Sequence, residues 1–453
     1  MSENRPTIMK FGGTSVKDAE AFTRAASIIL GEKENSPVVV TSAMAKVTDA
    51  LLGAFELSKN GDSAKGFSSL AEHFDRHQAV AENLLDETEQ KAFLAELELA
   101  KDDLSGLLLR AERRSLPLQM LKDAVVSFGE QLSSRLLAGV CRANGINARQ
   151  VDARRLIVTD DEYGAAKPLR DETEEFTRLE LLPIIESGEV PIMGGFIAGN
   201  RAGETTTLGR GGSDYSAALI GAALNAREIQ IWTDVTGVLT CDPRVCEDAR
   251  TIDILSYSEA AELAYFGAKV LHPKTIQPAV DHSIPVRVCN SHEPQEKGTF
   301  VLAESGIAPN RIKSIAHKTG ITILRITSAR MLGAYGFMSA LFQVFERFRA
   351  VVDVVSTSEV SVAMTLDDTT SLEKIVAELE RFGDVEVERG HAVVCIVGEG
   401  LRDSSGLASK IFSTIEDTNI SLISHGASDV NLTFVVKEEF VGNVIKKLHS
   451  SFF

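Results

Sequence analysis

Two glycine-rich corners, each with a basic residue, constrain this chain most: Lys10-Phe11-Gly12-Gly13-Thr14-Ser15 and Gly209-Arg210-Gly211-Gly212-Ser213-Asp214. The first follows an apolar run at 7–9. The second follows a run at 191–198 and a polar loop. Each run reads as a strand, and each corner leads into a helix-like pattern. Glycine has no Cβ, so backbone N–H groups at such a corner can approach a phosphate closely. A single corner of this kind is ordinarily a tight turn. Two of them, both basic and both between strand and helix, predict a phosphate site on an α/β scaffold.

Further buried-strand runs at 36–42 and 228–232 alternate with helical patterns, which predicts a largely parallel sheet. Residues 67–114 are rich in Ala, Leu and Glu and contain no proline. They predict a helical hairpin beside the sheet, with a solvated charged face. Pro294, Gly298, Gly306 and Pro309 then punctuate a polar stretch, and a linker is predicted over 291–311.

Beyond it the chain repeats itself at a spacing of 70: Gly336-Phe337-Met338-Ser339-Ala340-Leu341-Phe342 aligns with Gly406-Leu407-Ala408-Ser409-Lys410-Ile411-Phe412. Ser358-Glu359-Val360-Ser361-Val362 likewise aligns with Ser428-Asp429-Val430-Asn431-Leu432. Each copy reads strand, helix, strand, turn, strand, helix, so two βαββαβ units are predicted. The second runs out of chain near Phe453 one strand short, while the strand at 312–317 lacks an obvious partner. The expected order is an α/β domain over 1–290 and the linker. A first repeat unit over 320–389 is then nested within a second, built from 312–319 and 390–453.

At 453 residues and 44% hydrophobic content, two to three domains with ordinary cores are expected. A net charge of -17 argues against non-specific binding to nucleic acid or acidic membranes. No apolar run approaches a membrane span, and strand-like residues begin right after a polar 2–5, so a cytoplasmic protein without a signal peptide is expected. The five cysteines, Cys141, Cys241, Cys246, Cys289 and Cys395, include no Cys-x-x-Cys pair. That spacing argues against a disulfide framework and against a structural zinc site.

Six motifs together closely resemble the aspartate kinases of the amino-acid kinase superfamily, most like the monofunctional lysine-sensitive type. They are 10–16 (KFGGTSV), Phe128-Gly129-Glu130, Gly195-Phe196-Ile197, 205–214 (TTTLGRGGSD), 232–244 (WTDVTGVLTCDPR) and 266–273 (FGAKVLHP). The resemblance covers nearly the whole chain, and the repeated tail resembles paired ACT domains. It implies an amino-acid-kinase-like α/β sandwich around a mostly parallel sheet, followed by two ACT-like units. The implied reaction transfers the γ-phosphoryl of ATP to the β-carboxylate of L-aspartate, the first step toward lysine, threonine and methionine. A carboxylate with a reference pKa of about 4 is already ionised at neutral pH, so no general base is needed. What the reaction needs is positioning and neutralisation of charge on the phosphoryl oxygens.

On that resemblance Lys10 and Lys269 stabilise the phosphoryl group with Asp214 beside them, and Gly12 and Gly13 offer N–H groups to phosphate. Arg210 suits bidentate capture of the substrate α-carboxylate. Glu130 suits its ammonium, and Thr48, Phe196 and Ser213 match the amino-acid pocket. Ser213 also reads as a cap for a helix at 215–224, with Asp214 in its first turn. Thr233, Asp234 and Arg244 match the nucleotide loop, where Leu239 stands in place of a frequent tyrosine. Mg²⁺ is expected chiefly on the ATP phosphates, with no protein ligand assigned. Met331, Phe337, Met338, Asp353, Thr357, Ser358 and Glu359 match an effector site for lysine, formed where two first ACT units meet in a homodimer. Ala334 and Val351 stand there where a hydroxyl is usual, and Arg349 where asparagine is. Two other readings stay open at this point: a kinase for another acidic amino acid, and a catalytically silent ACT-type sensor. Retention of Lys10, Arg210, Asp214 and Lys269 argues against the second.

Overall fold

The computed structural model describes residues 5–266, 271, 273–304 and 311–453. The chain divides into two compact units: Met1–Val238 with Asp253–Tyr257 and Leu271–Ser305, and Leu239–Ile252 with Ser258–Val270 and Gly306–Phe453.

In the first unit the strands are β1 (Thr7–Phe11), β2 (Val38–Thr41), β3 (Ala148–Val151), β4 (Val158–Thr159), β5 (Val190–Gly194), β6 (Ile197–Asn200), β7 (Thr205–Thr207), β8 (Glu228–Thr233), β9 (Ile254–Ser256), β10 (Val286–Asn290) and β11 (Thr299–Leu302). Eight of these form one sheet, in the order β3-β5-β2-β1-β8-β10-β11-β9. Every pairing from β3 to β10 is parallel, and only β10 to β11 runs antiparallel. β2 and β5 are buried throughout, as strands covered on both faces must be, and so they read as unbroken apolar runs. On one face Met9, Phe11, Val39 and Ile192 enter a core shared with helices Ala19–Gly31, Val47–Lys59 and Phe128–Ala143. On the other, helix Gly212–Ala223 packs so close that a Cβ on Gly221 would stand 2.8 Å from Ile229.

The 67–114 hairpin is helices Ala71–Leu84 and Glu87–Arg113. The second starts where the Asp86 carboxylate accepts the amide protons of Thr88 and Glu89, both at 2.9 Å. Two sequence expectations need correction. The run at 191–198 is not one strand: β5 ends at Gly194, and the chain turns at Phe196, whose φ is +65°. It then enters β6 in a separate three-stranded sheet, β4-β6-β7. The stretch 291–311 is not simply a linker, because it contributes β11 to the main sheet. Of its polar punctuation, Pro294 and Gly298 lie in the β10–β11 turn, whereas Gly306 and Pro309 fall outside the described residues. In the turn Gly298 has φ +68°, and a Cβ would fall 2.0 Å from the Val288 carbonyl oxygen.

The second unit is built on β12 (Arg311–Thr327), β13 (Val355–Thr357), β14 (Ser361–Leu366), β15 (Asp384–Glu399), β16 (Leu422–His425) and β17 (Asn431–Lys437). They form one antiparallel sheet, β13-β14-β12-β15-β17-β16. Both long strands serve two halves of it. Residues 322–327 of β12 pair with β14 and 323–327 with 384–388 of β15, whereas 311–318 pair with 393–399. The register shifts between Lys318 and Ile323, where the halves join. Helices Phe337–Arg347 and Leu372–Leu379 cover the first half around Leu324, Phe345 and Met364. Helices Leu407–Thr414 and Val441–Phe452 cover the second around Ile315, Val394 and Phe434. No helix among the described residues is long and apolar enough to cross a membrane.

Within this unit Lys313 of β12 makes a 2.7 Å ion pair with Glu259, and both side chains are buried (4% and 0% exposed). A buried pair that loses one member leaves an uncompensated charge, at a cost of about 3–5 kcal/mol. Lys313→Met should therefore lower the thermal unfolding transition of the full chain sharply. Adding Glu259→Leu should recover most of the loss, and calorimetry of the two variants checks both outcomes.

Candidate active site

The parallel strands all end on one edge of the main sheet, and that edge carries the site, as open α/β sheets favour. After β1, the Gly12 amide donates to the Trp232 carbonyl at 3.0 Å, and Ser15 Oγ donates to Ser291 Oγ at 2.9 Å. The Ser291 amide and hydroxyl both reach the Thr233 carbonyl, at 2.8 and 3.0 Å. The loops after β1, β8 and β10 are thus stitched together by hydrogen bonds. Beside them, the Ala45 amide donates to the Gly13 carbonyl at 3.1 Å, so the loop after β2 lies against the first glycine corner. A Cβ on Gly13 would sit 2.9 Å from the Ala43 carbonyl oxygen, which side-chain-free backbone alone permits.

A cavity of about 390 Å³ opens here, lined by Lys10, Gly13, Thr48, Glu130, Phe196 and 209–214, together with Ser42–Lys46 and Asp49. At one wall Lys10 Nζ lies 2.7 Å from Asp214 Oδ1, and both side chains are largely shielded from water (12% and 15% exposed). Arg210 is exposed at the rim and makes no ion pair among the described residues. Glu130 is buried at 3% exposure, in the first turn of helix Phe128–Ala143, and its Oε2 has no hydrogen-bond partner among the described residues. Burial pushes its carboxyl up to about 8, partly opposed by the amides of Ala43 and of Glu130 itself.

Backbone geometry holds this wall. Gly209 and Gly211 both adopt left-handed φ (+75° and +73°), which turns the chain into helix Gly212–Ala223 with Gly211 at its N-cap. The helix therefore begins before Ser213, which lies inside it and does not cap it, while Asp214 is in its first turn. Ser216 Oγ accepts the Phe196 amide proton and donates to the Gly212 carbonyl, each at 3.0 Å. Farther back, buried Asp123 accepts the amide protons of Gly164 (2.7 Å) and Thr207 (2.9 Å) and so anchors the strand leading to the corner. Burial raises the Asp123 pKa, and those amide donors oppose the rise.

Residues 5–290 match the amino acid kinase family and residues 394–452 an ACT domain. The chain is 38% identical to lysine-sensitive aspartokinase 3 of Escherichia coli, across 98% of this chain and 99% of that protein. It is 39% identical to the chloroplastic aspartokinase 1 of Arabidopsis thaliana, across 98% and 80% of the two. The E. coli aspartokinase III structure with aspartate and ADP (R-state) superposes with a TM-score of 0.82 at 38% identity, covering 98% and 99% of the two chains. The same enzyme with lysine and aspartate (T-state) gives 0.85 at 37% identity, covering 99% of each.

The chain belongs to the amino acid kinase family, among its aspartokinases.

The residues read from the sequence distribute unevenly over this aspartokinase. Lys10, Gly13, Thr48, Glu130, Phe196, Arg210, Ser213 and Asp214 converge on the one cavity. Gly12, Thr233 and Asp234 lie on the stitched loops beside it. Arg244 is exposed in the second unit, where it pairs with Asp242 at 2.6 Å. Lys269 falls outside the described residues. Ser42, Lys46 and Asp49 went unread, although Lys46 repeats the pattern of a basic residue between a strand and a helix. No glycine marks it, because Lys46 itself takes the left-handed conformation at φ +69°.

In the second unit Asp353 is not a free carboxylate. Tyr265 donates its hydroxyl proton to it, Lys318 Nζ lies 3.5 Å away, and its side chain is 1% exposed. Lys318 also pairs with Asp367 at 2.6 Å. Phe337 and Met338 are partly buried against the core of the first half, and Met331 packs there too. Thr357, Ser358 and Glu359 are exposed at the β13–β14 turn, where Ser358 Oγ is 2.7 Å from Ser361 Oγ.

Gly195 tests the geometry of the wall. A Cβ there would lie 2.8 Å from both Cα and Cβ of Ser213, so Gly195→Ala must push the second corner away from β5. Displacing positioned groups by about 1 Å costs on the order of a hundredfold in rate. Gly195→Ala should lose about that much kcat/KM, while Gly53→Ala, with no atom within 4 Å of its Cβ, should keep wild-type activity.

Proposed function

We infer that this chain phosphorylates the β-carboxylate of L-aspartate with ATP and that lysine inhibits it. The observation that carries the reading is one cavity whose walls hold a shielded ammonium, a guanidinium and a buried carboxylate with one oxygen unpartnered among the described residues. Aspartate offers the complement: a carboxylate for Arg210, an ammonium for Glu130 and a second carboxylate that faces Lys10. A β-carboxylate oxygen bonds to the γ-phosphorus as the bond to the bridging oxygen breaks, and ADP leaves with that electron pair. Lys10, steered by Asp214, stabilises the charge on the phosphoryl oxygens, with Lys269 as its partner. Gly12, Gly13 and the loop of Thr233 and Asp234 seat the nucleotide phosphates.

Mg²⁺ would supply further neutralisation of the phosphates. Among the cavity carboxylates, Asp214 is engaged by Lys10, Glu130 is held by amide donors and Asp49 alone is exposed, which suits an ion carried chiefly on ATP with its waters. The protein's own electrostatic work falls to Lys10. Lys10→Ala should fold normally and lose about 10²–10³ in turnover. A coupled ADP assay measures it, and a variant within a few fold of wild type removes Lys10 from the chemistry.

Glu130 predicts a pH dependence. Its carboxyl is protonated below about 8 in the free site. An ammonium beside it favours the ionised form, so aspartate binding expels that proton. Affinity should rise with pH up to about 8, by at most about tenfold per unit, and then level off. KM for aspartate across this range checks the slope, and Glu130→Gln should flatten it.

Lysine inhibition is assigned to the first ACT-like half, in a homodimer. The effector ammonium would take the place that Tyr265 and Lys318 hold on Asp353, while Phe337 and Met338 cover its aliphatic stem. An inhibitor must bind the inactive state better, and this exchange of partners supplies a differential contact. A hydrogen bond to a charged group contributes about 1.5–3 kcal/mol. Asp353→Ala should therefore raise the half-inhibitory lysine concentration at least about tenfold, and undiminished inhibition would remove Asp353 from the site.

A further inference from the structure

The second unit holds a group of side chains that the kinase chemistry does not use. Cys241, Cys246 and His449 are buried at 4%, 6% and 5% exposure. One donor atom of each lies within 4.8 Å of the other two, and no other such His, Cys, Asp or Glu group occurs among the described residues.

Local structure builds this cluster from distant sequence. The amides of Val245 and Cys246 donate to the Asp242 carbonyl at 2.9 and 3.0 Å, a turn that folds Cys246 back toward Cys241. The Thr240 amide donates to the Arg250 carbonyl at 2.9 Å, and the Ile315 amide of β12 donates to the Thr240 carbonyl at 2.8 Å. His449 comes from helix Val441–Phe452. Its Nε2 lies 2.9 Å from Thr240 Oγ1, and its ring stacks on Phe453 at 4.8 Å between centroids. The backbone carrying both cysteines and the His449 ring are therefore held by other contacts before any ligand arrives.

Buried cysteines are ordinarily small apolar fillers. Cys141, Cys289 and Cys395 fit that description, buried with no such group around them. A filler role does not account for an imidazole grouped with two thiols in a core of Ile, Leu and Val side chains.

We propose that Cys241, Cys246 and His449 form a binding site for Zn²⁺. Thiolate and imidazole donors select zinc over hard cations, and three protein donors leave a fourth tetrahedral position for water. Charge decides against a monovalent soft ion. Two thiolates, a neutral imidazole and Zn²⁺ sum to zero, so the core buries no net charge. Both thiol protons pass to solvent as the metal binds. Donors around tetrahedral zinc lie roughly 3.5 Å apart, so from separations within 4.8 Å the cluster closes by about 1.3 Å at most. The lack of a Cys-x-x-Cys pair argued against a structural zinc site, but here a turn and a helix assemble the donors instead. Bound zinc would clip the segment that carries Arg244 to the last helix of the chain.

The test uses the full-length, reduced enzyme freed of metal with a chelator. Zn²⁺ should bind one per chain by calorimetry and raise the melting temperature. Co²⁺ in its place should give thiolate charge-transfer and tetrahedral d–d bands. Cys241→Ser and Cys246→Ser should each weaken Zn²⁺ at least about a hundredfold, the upper end of what losing even an outer-shell partner costs. Cys141→Ala should bind as wild type does. The wild-type cobalt spectrum keeps the proposal exposed even if a variant misfolds. Absence of the charge-transfer band, or Zn²⁺ uptake that survives in Cys241→Ser and Cys246→Ser, overturns it. So does a mapped Cys241–Cys246 disulfide in enzyme that takes up no metal when reduced.

Discussion

The 2.7 Å contact between Lys10 and Asp214 is the interaction on which the site depends. It fixes a cation at the end of a central parallel strand, where water is mostly excluded and a charge acts strongly on its neighbours. Holding it there requires two chain segments far apart in sequence to meet without side chains between them. The glycines do this. At Gly13, Gly195 and Gly212 a single added carbon would collide with backbone or ring atoms within 3.0 Å. Sheet order supplies the rest, since β5, β2, β1, β8 and β10 all deliver their ends to one edge.

Glu130 shows what the same packing does to a buried acid. A carboxyl buried without a full set of donors is costly, and here the cost appears as a pKa pushed up to about 8. An ammonium removes that penalty, whereas a substrate without one would leave the group unpaired. On the proposed reading the pocket would discriminate by what it leaves unsatisfied, a stronger filter than shape alone.

Much of this was legible in the sequence, because glycine and β-strand chemistry are local. The two basic corners and the buried strands at 36–42 and 228–232 stand out as patterns within a few residues. What was not legible depends on tertiary context. Phe196 gave no local sign of its left-handed turn, so β5 and β6 read as one strand. β11 was hidden because its Pro294 and Gly298 flank looks like a linker until the β10 partner is seen. Lys46 lacks a glycine to flag it, and Asp123 acts only through amides of other segments. Asp353 matched an effector site by sequence, but its contacts with Tyr265 and Lys318 come only from tertiary folding.

The central claim is that this edge transfers the γ-phosphoryl of ATP to the β-carboxylate of aspartate, and the product itself is the most direct test. Wild-type enzyme incubated with ATP, Mg²⁺, L-aspartate and hydroxylamine traps an acyl phosphate as its hydroxamate. The account predicts aspartate β-hydroxamate in one-to-one yield with ADP. ADP formed without hydroxamate, or hydroxamate at the α-carboxyl, would contradict it.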